Sequence, residues 1–263
     1  MVPLAIIAGA FGFYLRRMEL YTVFEPHTGL AVSGAPVSLA LMALSGGVIL
    51  LLFGLSFLAP TREGGQFETA FRGGIVLRVL LAGISLAIIA AAGMDAFGLL
   101  PGDAMPVLEL VWAGAGVLSG ICLLLMALLG MSGKPVASLS VIPVFWLCLW
   151  HIVSHIENAA NPTLLAHAYR FFALAFLLLG LYYIAGFAFG QTRVRRFLFT
   201  ASAAGYFVGV TMADSQGIFQ RVILAAVAGM ILIYALILTH NLGSPMWESG
   251  SEDVFDEDEE TDD

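Results

Sequence analysis

The chain has 263 residues, of which 60% are hydrophobic and only 11% are charged, whereas soluble domains are about half apolar and a quarter charged. This composition excludes a soluble globular protein and predicts an all-α, polytopic transmembrane helical bundle with no room for a sizeable soluble domain. The net charge of −8 comes from the C terminus, because residues 247–263 hold ten of the nineteen acidic residues and no basic one.

Apolar runs broken by glycine, proline and charge predict about eight spans. In the first, residues 1–24, only residues 1–15 are free of charge, because Arg16 and Arg17 follow. It lacks the pattern of a cleaved signal peptide, whose basic residues precede the apolar run. The later predicted spans are residues 36–59, 74–98, 105–130, 138–160, 162–189, 194–213 and 217–241. We expect a transmembrane bundle over residues 1–243 and a disordered acidic tail over residues 244–263.

The basic residues in the predicted connections indicate the orientation, since cytoplasmic loops carry an excess of Lys and Arg. Three of them, Arg16, Arg17 and Arg221, lie on the side away from the termini. Six lie on the side of the termini, namely Arg62, Arg72, Lys134, Arg193, Arg195 and Arg196. We therefore expect both termini in the cytoplasm, and this orientation inverts if the first segment does not span.

Polar residues enter the membrane in the stretch FWLCLWHIVSHIENAANPTLLAHAYRFF, residues 145–172. Asn161 suits a helix N-cap and Pro162 suits the first helical position, so predicted spans five and six are antiparallel neighbours. On span five, His151 and His155 lie on one helix face. Because polar atoms are costly in lipid, this face should point into the bundle or into a water-filled cavity.

The helical rise per residue, counted from the predicted turn at Asn161, places the polar side chains of spans five and six at two depths in the membrane. His155 and His167 lie about 9 Å below the membrane surface, and His151 and Arg170 about 13–15 Å below it. Carboxylates and neutral imidazoles suit protons or divalent cations. The candidate pathway for an ion or small polar solute consists of His151, His155, Glu157, His167, Arg170 and Glu109.

Two other interpretations of these residues remain open. In the first, their role is structural: the histidines hydrogen-bond neighbouring helices, and Arg170 pairs with Glu157 or with backbone carbonyls. In the second, His151 and His155, at i, i+4 spacing, bind a metal or haem. Ile152 stands where the HExxH metalloprotease pattern needs glutamate. No phosphate-binding loop, nucleophile elbow or cysteine cluster occurs in the sequence, so we expect neither a catalytic residue nor a cofactor and favour a protein that is not an enzyme.

Two segments, FEPHTGLAVSGAPVSLAL and PVFWLCLWHIVSHIENAANPTLLAHAYRFFAL, resemble stretches of bacterial multispan membrane proteins of similar length that have no assigned activity. The resemblance covers about the N-terminal quarter of the chain and spans five and six. It implies a multi-pass protein of about eight spans in the bacterial cytoplasmic membrane. No functional residue is carried over from it.

Three functions follow from these observations. The first is transport-type or solute- and ion-binding, with a polar, histidine-containing cavity between spans five and six that opens to the extracytoplasmic side. The second is a non-enzymatic scaffold or sensor subunit, whose acidic tail recruits a cytoplasmic protein through Trp247 and Phe255; it predicts a dry, fully paired polar cluster. The third is a metal- or haem-dependent membrane enzyme. The expected partners are the lipid bilayer, a small polar solute or cation and a protein bound by the tail, but not nucleic acid.

Overall fold

The computed structural model describes residues 1–24, 34–60, 67–99, 107–129, 136–158, 164–214 and 216–242. The fold is all-α, as predicted from the sequence. The described residues form nine helices: α1 (Val2–Thr22), α2 (Pro36–Ser56), α3 (Phe67–Ala70), α4 (Ile75–Leu99), α5 (Val107–Leu129), α6 (Ala137–Asn158), α7 (Leu164–Ala188), α8 (Val194–Thr211) and α9 (Ile218–Asn241).

Six helices are long and apolar enough to cross a membrane, so the protein is a multispan helical membrane protein. They are Pro36–Ser56, Ile75–Gly98, Val107–Leu129, Ala137–Asn158, His167–Ala188 and Ile218–Asn241. The other two long helices, α1 and α8, also occupy predicted spans but are not among the six. Each carries charge, with Arg16, Arg17 and Glu19 in α1 and Arg195 and Arg196 in α8.

Glycines allow the closest helix approaches. Gly9 of α1 faces Gly209 of α8 so closely that a Cβ atom on Gly209 would lie 3.0 Å from the Gly9 Cα. On α5, a Cβ atom on Gly120 would lie 2.6 Å from the Ile89 side chain of α4. Small residues at such crossings let helix backbones pack directly in lipid. The first crossing holds α1 alongside α8, and this contact brings the charged end of α1 into the bundle.

Some sequence predictions fall outside the described residues. The predicted N-cap at Asn161 and the proline at Pro162 precede Leu164, where α7 begins. The acidic tail, residues 244–263, follows the last described residue, Leu242. These remain predictions.

Candidate functional site

Many polar residues lie at one end of the bundle, because successive long helices run in opposite directions. The C-terminal ends of α1, α4, α6 and α8 lie there, together with the N-terminal ends of α2, α5, α7 and α9. We call this the polar end and define it by Arg16, Glu19, Glu157, Arg170 and Asp214. Its groups come from α1, α6 and α7 and from the connection between α8 and α9.

A buried ion cluster joins α1 to the connection between α8 and α9. The Arg16 guanidinium donates from Nε to Asp214 Oδ1 at 2.8 Å and from Nη1 to Glu19 Oε2 at 2.6 Å. The Arg16 and Glu19 side chains are 0% exposed, and that of Asp214 is 11% exposed. The guanidinium carbon of Arg16 also lies 5.1 Å from the ring centroid of Tyr169 on α7, within cation–π range. The cluster therefore links three parts of the fold in a site almost without solvent.

The charges in this cluster do not balance on their own. Two carboxylates share one guanidinium, so the fully ionised group of Arg16, Glu19 and Asp214 carries one net negative charge. Burial raises the pKa of the Asp214 carboxyl above its ordinary value, although the neighbouring Arg16 and, at longer range, Arg170 act in the opposite direction. A buried excess charge is costly unless a proton or a counter-ion compensates for it.

One oxygen of this cluster has no hydrogen-bond donor among the described residues. Glu19 Oε1 is buried and makes no hydrogen bond with any of the described residues, whereas Oε2 of the same carboxylate accepts from Arg16. Buried polar atoms are nearly always hydrogen-bonded, so such an atom calls for an explanation. A carboxylate oxygen held in place by its partner oxygen is a suitable ligand for a hard cation or a site for a proton.

A second group of polar side chains surrounds Arg170, next to the Arg16 cluster. Its Nη2 donates to Gln220 Oε1 at 3.2 Å and lies 3.9 Å from Glu157 Oε2. The structure thus brings Arg170 and Glu157 together, which is the ion pair considered from the sequence. Arg170 Nε and both polar side-chain atoms of Gln216 are buried and make no hydrogen bond with the described residues. This group is therefore only partly paired.

Carboxylates from three helices lie within electrostatic range of one another near the polar end. Glu157 at the end of α6 lies within electrostatic range of Glu109 on α5 and Asp95 on α4. Asp95 and Glu109 are also within range of each other. Of the sequence candidates, Glu109 is therefore placed with Glu157 at this end.

The histidines occupy different environments. The rings of His151 and His155 both meet Phe171 of α7 edge to face, at centroid distances of 4.9 and 5.8 Å. His151 is half-buried and its Nδ1 has no hydrogen-bond partner among the described residues, whereas His155 is exposed. His167 is half-buried and within electrostatic range of Arg170 and Arg16. His167 therefore belongs to the polar end, and the other two pack along the α6–α7 seam.

Metal binding needs more ligands than the sequence pair provides. Within the described ranges, no three His, Cys, Asp or Glu side chains are grouped so that they could hold a metal ion. His151 and His155 therefore stand as a pair without a third protein ligand in this part of the chain. A zinc site ordinarily takes three or four protein ligands.

A groove leads from the membrane side of the bundle to Tyr169. It has a volume of about 410 Å³ and lies between α2 and α7, with Phe207 of α8 also in its lining. The Ser45 hydroxyl lines it and shares a hydrogen bond of 2.8 Å with the Tyr206 hydroxyl. Tyr169 also lines the groove, and its ring faces the Arg16 guanidinium. Tyr169 therefore connects this groove to the Arg16 cluster.

Sequence reasoning missed the Arg16 cluster. Arg16 enters the sequence prediction only as one of the basic residues that indicate the orientation, and neither Glu19 nor Asp214 is among the predicted pathway residues. The usable signal was the i, i+3 spacing of Arg16 and Glu19, which places opposite charges on one helix face. The contact between Arg16 and Asp214, 198 residues apart, has no local sequence signal.

The chain was also compared with known proteins. Its sequence matches no family model, and no curated protein or solved structure is detectably similar to it. A function must therefore be inferred from the chemistry of the polar end.

Proposed function

We propose that this protein is a transport-type membrane protein that binds a small cation or a proton at the polar end, with Glu19 as the central carboxylate. In this proposal all eight long helices cross the bacterial cytoplasmic membrane and both termini lie in the cytoplasm. The polar end then faces the extracytoplasmic side. The excess of basic residues in the connections near the termini supports this orientation.

The observation that carries the proposal is Glu19 Oε1, a buried oxygen with no hydrogen-bond partner among the described residues. The Glu19 side chain is 0% exposed, and its other oxygen is fixed by Arg16 at 2.6 Å. Asp214 shares the same guanidinium, so a bound cation or proton would remove the excess negative charge of the cluster. Uptake of charge at such a site is the elementary step of an ion-coupled transporter.

In this proposal, the candidate residues from the sequence line the route by which the cation or proton reaches Glu19. Glu109, Glu157, His167 and Arg170 belong to the polar end, where carboxylates would attract a cation and the imidazole would exchange protons. The proposal thus retains the expected pathway but moves its centre from the α6–α7 pair toward α1 and α8. His151 and His155 would lie beside this pathway, against Phe171.

Ligand-dependent stability of the purified full-length protein tests the proposal. Thermal unfolding in detergent would be recorded from pH 5 to 9 with Na⁺, K⁺, Mg²⁺ or Ca²⁺ added singly. A cation at one hundred times its dissociation constant stabilises the folded state by about 2.7 kcal/mol. We expect one cation, or protons, to stabilise the wild type and Glu19→Gln to abolish that response. The matched control is Glu68→Gln, which removes a half-buried carboxylate from α3 and should leave the response intact.

A second candidate is the membrane scaffold or sensor subunit. The short ion pairs of Arg16 favour it, because Arg16 and Glu19 are fully buried and could serve only to join α1 to α8 and α9. This function predicts that no cation stabilises the wild type at any pH and that Glu19→Gln changes stability by the same amount under all conditions. That pattern would contradict cation binding and favour the scaffold.

A further inference from the structure

A groove also opens at the end of the bundle opposite the polar end, between the start of α6 and the end of α7. Its volume is about 370 Å³. Val141, Val144 and Phe145 of α6 line one side, and Gln191 and Arg193 lie at its rim after α7. The remaining lining residues are Tyr182, Tyr183, Ala185, Gly186 and Phe189.

A tight turn after α7 builds the polar rim of this groove. Gly190 has a φ of 74°, which favours glycine, and the backbone N–H of Gln191 donates to Gly186 O at 2.7 Å. A Cβ atom on Gly186 would lie 3.2 Å from Gln191 O, so glycine lets the chain fold back here. Two residues later, Arg193 forms the N-cap of α8. The turn therefore holds an exposed basic side chain at the mouth of an apolar groove.

The chemistry of the groove suits an amphiphile with a negative headgroup. Its walls are apolar and belong to two helices that can cross the membrane. Tyr182 and Tyr183, whose ring centroids lie 5.4 Å apart, provide the aromatic rings common at membrane interfaces. Arg193 is exposed at the groove, and basic side chains near the membrane surface attract anionic lipid.

We propose that this groove is a binding site for an anionic phospholipid, with an acyl chain between α6 and α7 and the phosphate at Arg193. The occupant is a lipid because the walls are apolar and lie within the membrane-spanning helices. The acyl chain therefore contributes to recognition together with the charge of the phosphate. This inference concerns the opposite end of the bundle and does not depend on the proposed function.

The test uses the full-length protein, freed of lipid by detergent exchange, with phosphatidylglycerol and phosphatidylcholine of identical acyl chains. Native mass spectrometry would measure bound lipid for the wild type, Arg193→Gln, Arg196→Gln and Val144→Trp. We expect the wild type to prefer phosphatidylglycerol and Arg193→Gln to reduce that preference about fivefold, the factor expected for one basic side chain at the surface. Arg196→Gln removes the same charge three residues later, from an α8 side chain that does not line the groove, and it should leave the preference unchanged. Val144→Trp fills the groove and should reduce binding of both lipids.

Three results would overturn the inference. The first is an equal loss of preference in Arg193→Gln and Arg196→Gln, which would indicate a diffuse electrostatic effect. The second is unchanged lipid binding in a folded Val144→Trp protein, which would show that the groove holds no acyl chain. The third is displacement of phosphatidylglycerol by millimolar glycerol 3-phosphate, which would show that a free phosphate ligand suffices.

Discussion

Replacing Arg16 by methionine removes the guanidinium that contacts both Glu19 and Asp214 while keeping a long side chain in the same space. Glu19 is 0% exposed, so its carboxylate would remain buried without its counter-charge. Removal of one partner from a buried ion pair costs about 3–5 kcal/mol. The exposed fraction of Asp214, 11%, allows that carboxylate some hydration, so the lower half of this range is expected.

The assay is thermal unfolding of the purified protein in detergent, followed by tryptophan fluorescence. A chain of this size loses roughly 2–4 °C of Tm per kcal/mol, so Arg16→Met should lower the Tm by about 6–16 °C. A second variant separates charge from packing. In it Arg16→Met is combined with Glu19→Met and Asp214→Asn, so no unpaired charge remains.

Loss of a whole buried ion group is often neutral or stabilising. The triple variant should therefore recover most of the Tm lost by Arg16→Met. The reasoning would be refuted if Arg16→Met unfolded within about 2 °C of the wild type, well short of the loss expected for a buried pair. It would also be refuted if the triple variant were as unstable as the single one, because the loss would then come from packing.

Two further predictions concern helix packing around the site. Gly209→Ala would place a Cβ atom 3.0 Å from the Gly9 backbone and should lower the stability by about 1–3 kcal/mol, because it forces α1 away from α8. The matched control is Gly229→Ala, whose added Cβ atom meets nothing within 4 Å. Equal thermal stability of the two variants would contradict the close crossing. Tyr206→Phe removes the 2.8 Å hydrogen bond to Ser45 and should cost about 0.5–1.5 kcal/mol in the same unfolding assay; an unchanged Tm would show that this bond contributes nothing.

The helices were largely predictable because lipid imposes a strong local rule. Every spanning segment must satisfy its own backbone hydrogen bonds, so long apolar runs such as those of α4 and α9 identify helices directly. The predicted segments coincide with eight of the helices that the structure describes. Only the four-residue helix α3, Phe67–Ala70, lacked such a signal, because one helical turn is too short to show a periodic pattern.

The candidate site was predictable only where its contacts are local. Arg170 and Glu157 lie on helices joined by a short connection, so their pairing could be proposed from hairpin geometry. The contact of Arg16 with Asp214 depends on α1 packing along α8, which neither segment encodes by itself. Sequence reasoning therefore placed the candidate pathway at the end of the bundle where the Arg16 cluster lies, but it did not identify that cluster.

The measurement that tests the central claim most directly is the accessibility of the polar end, and of His155 on the adjoining α6–α7 seam, from outside intact cells. Single cysteines would replace His155, His167 and Arg170, one at a time, in a background without Cys122 and Cys148. Our account predicts that a small membrane-impermeant thiol reagent labels positions 155 and 167 from outside, and that position 170 reacts more slowly because Arg170 is only 11% exposed. No labelling at any of these positions, in variants that still fold, would contradict the account and show that the polar end is closed to extracytoplasmic water.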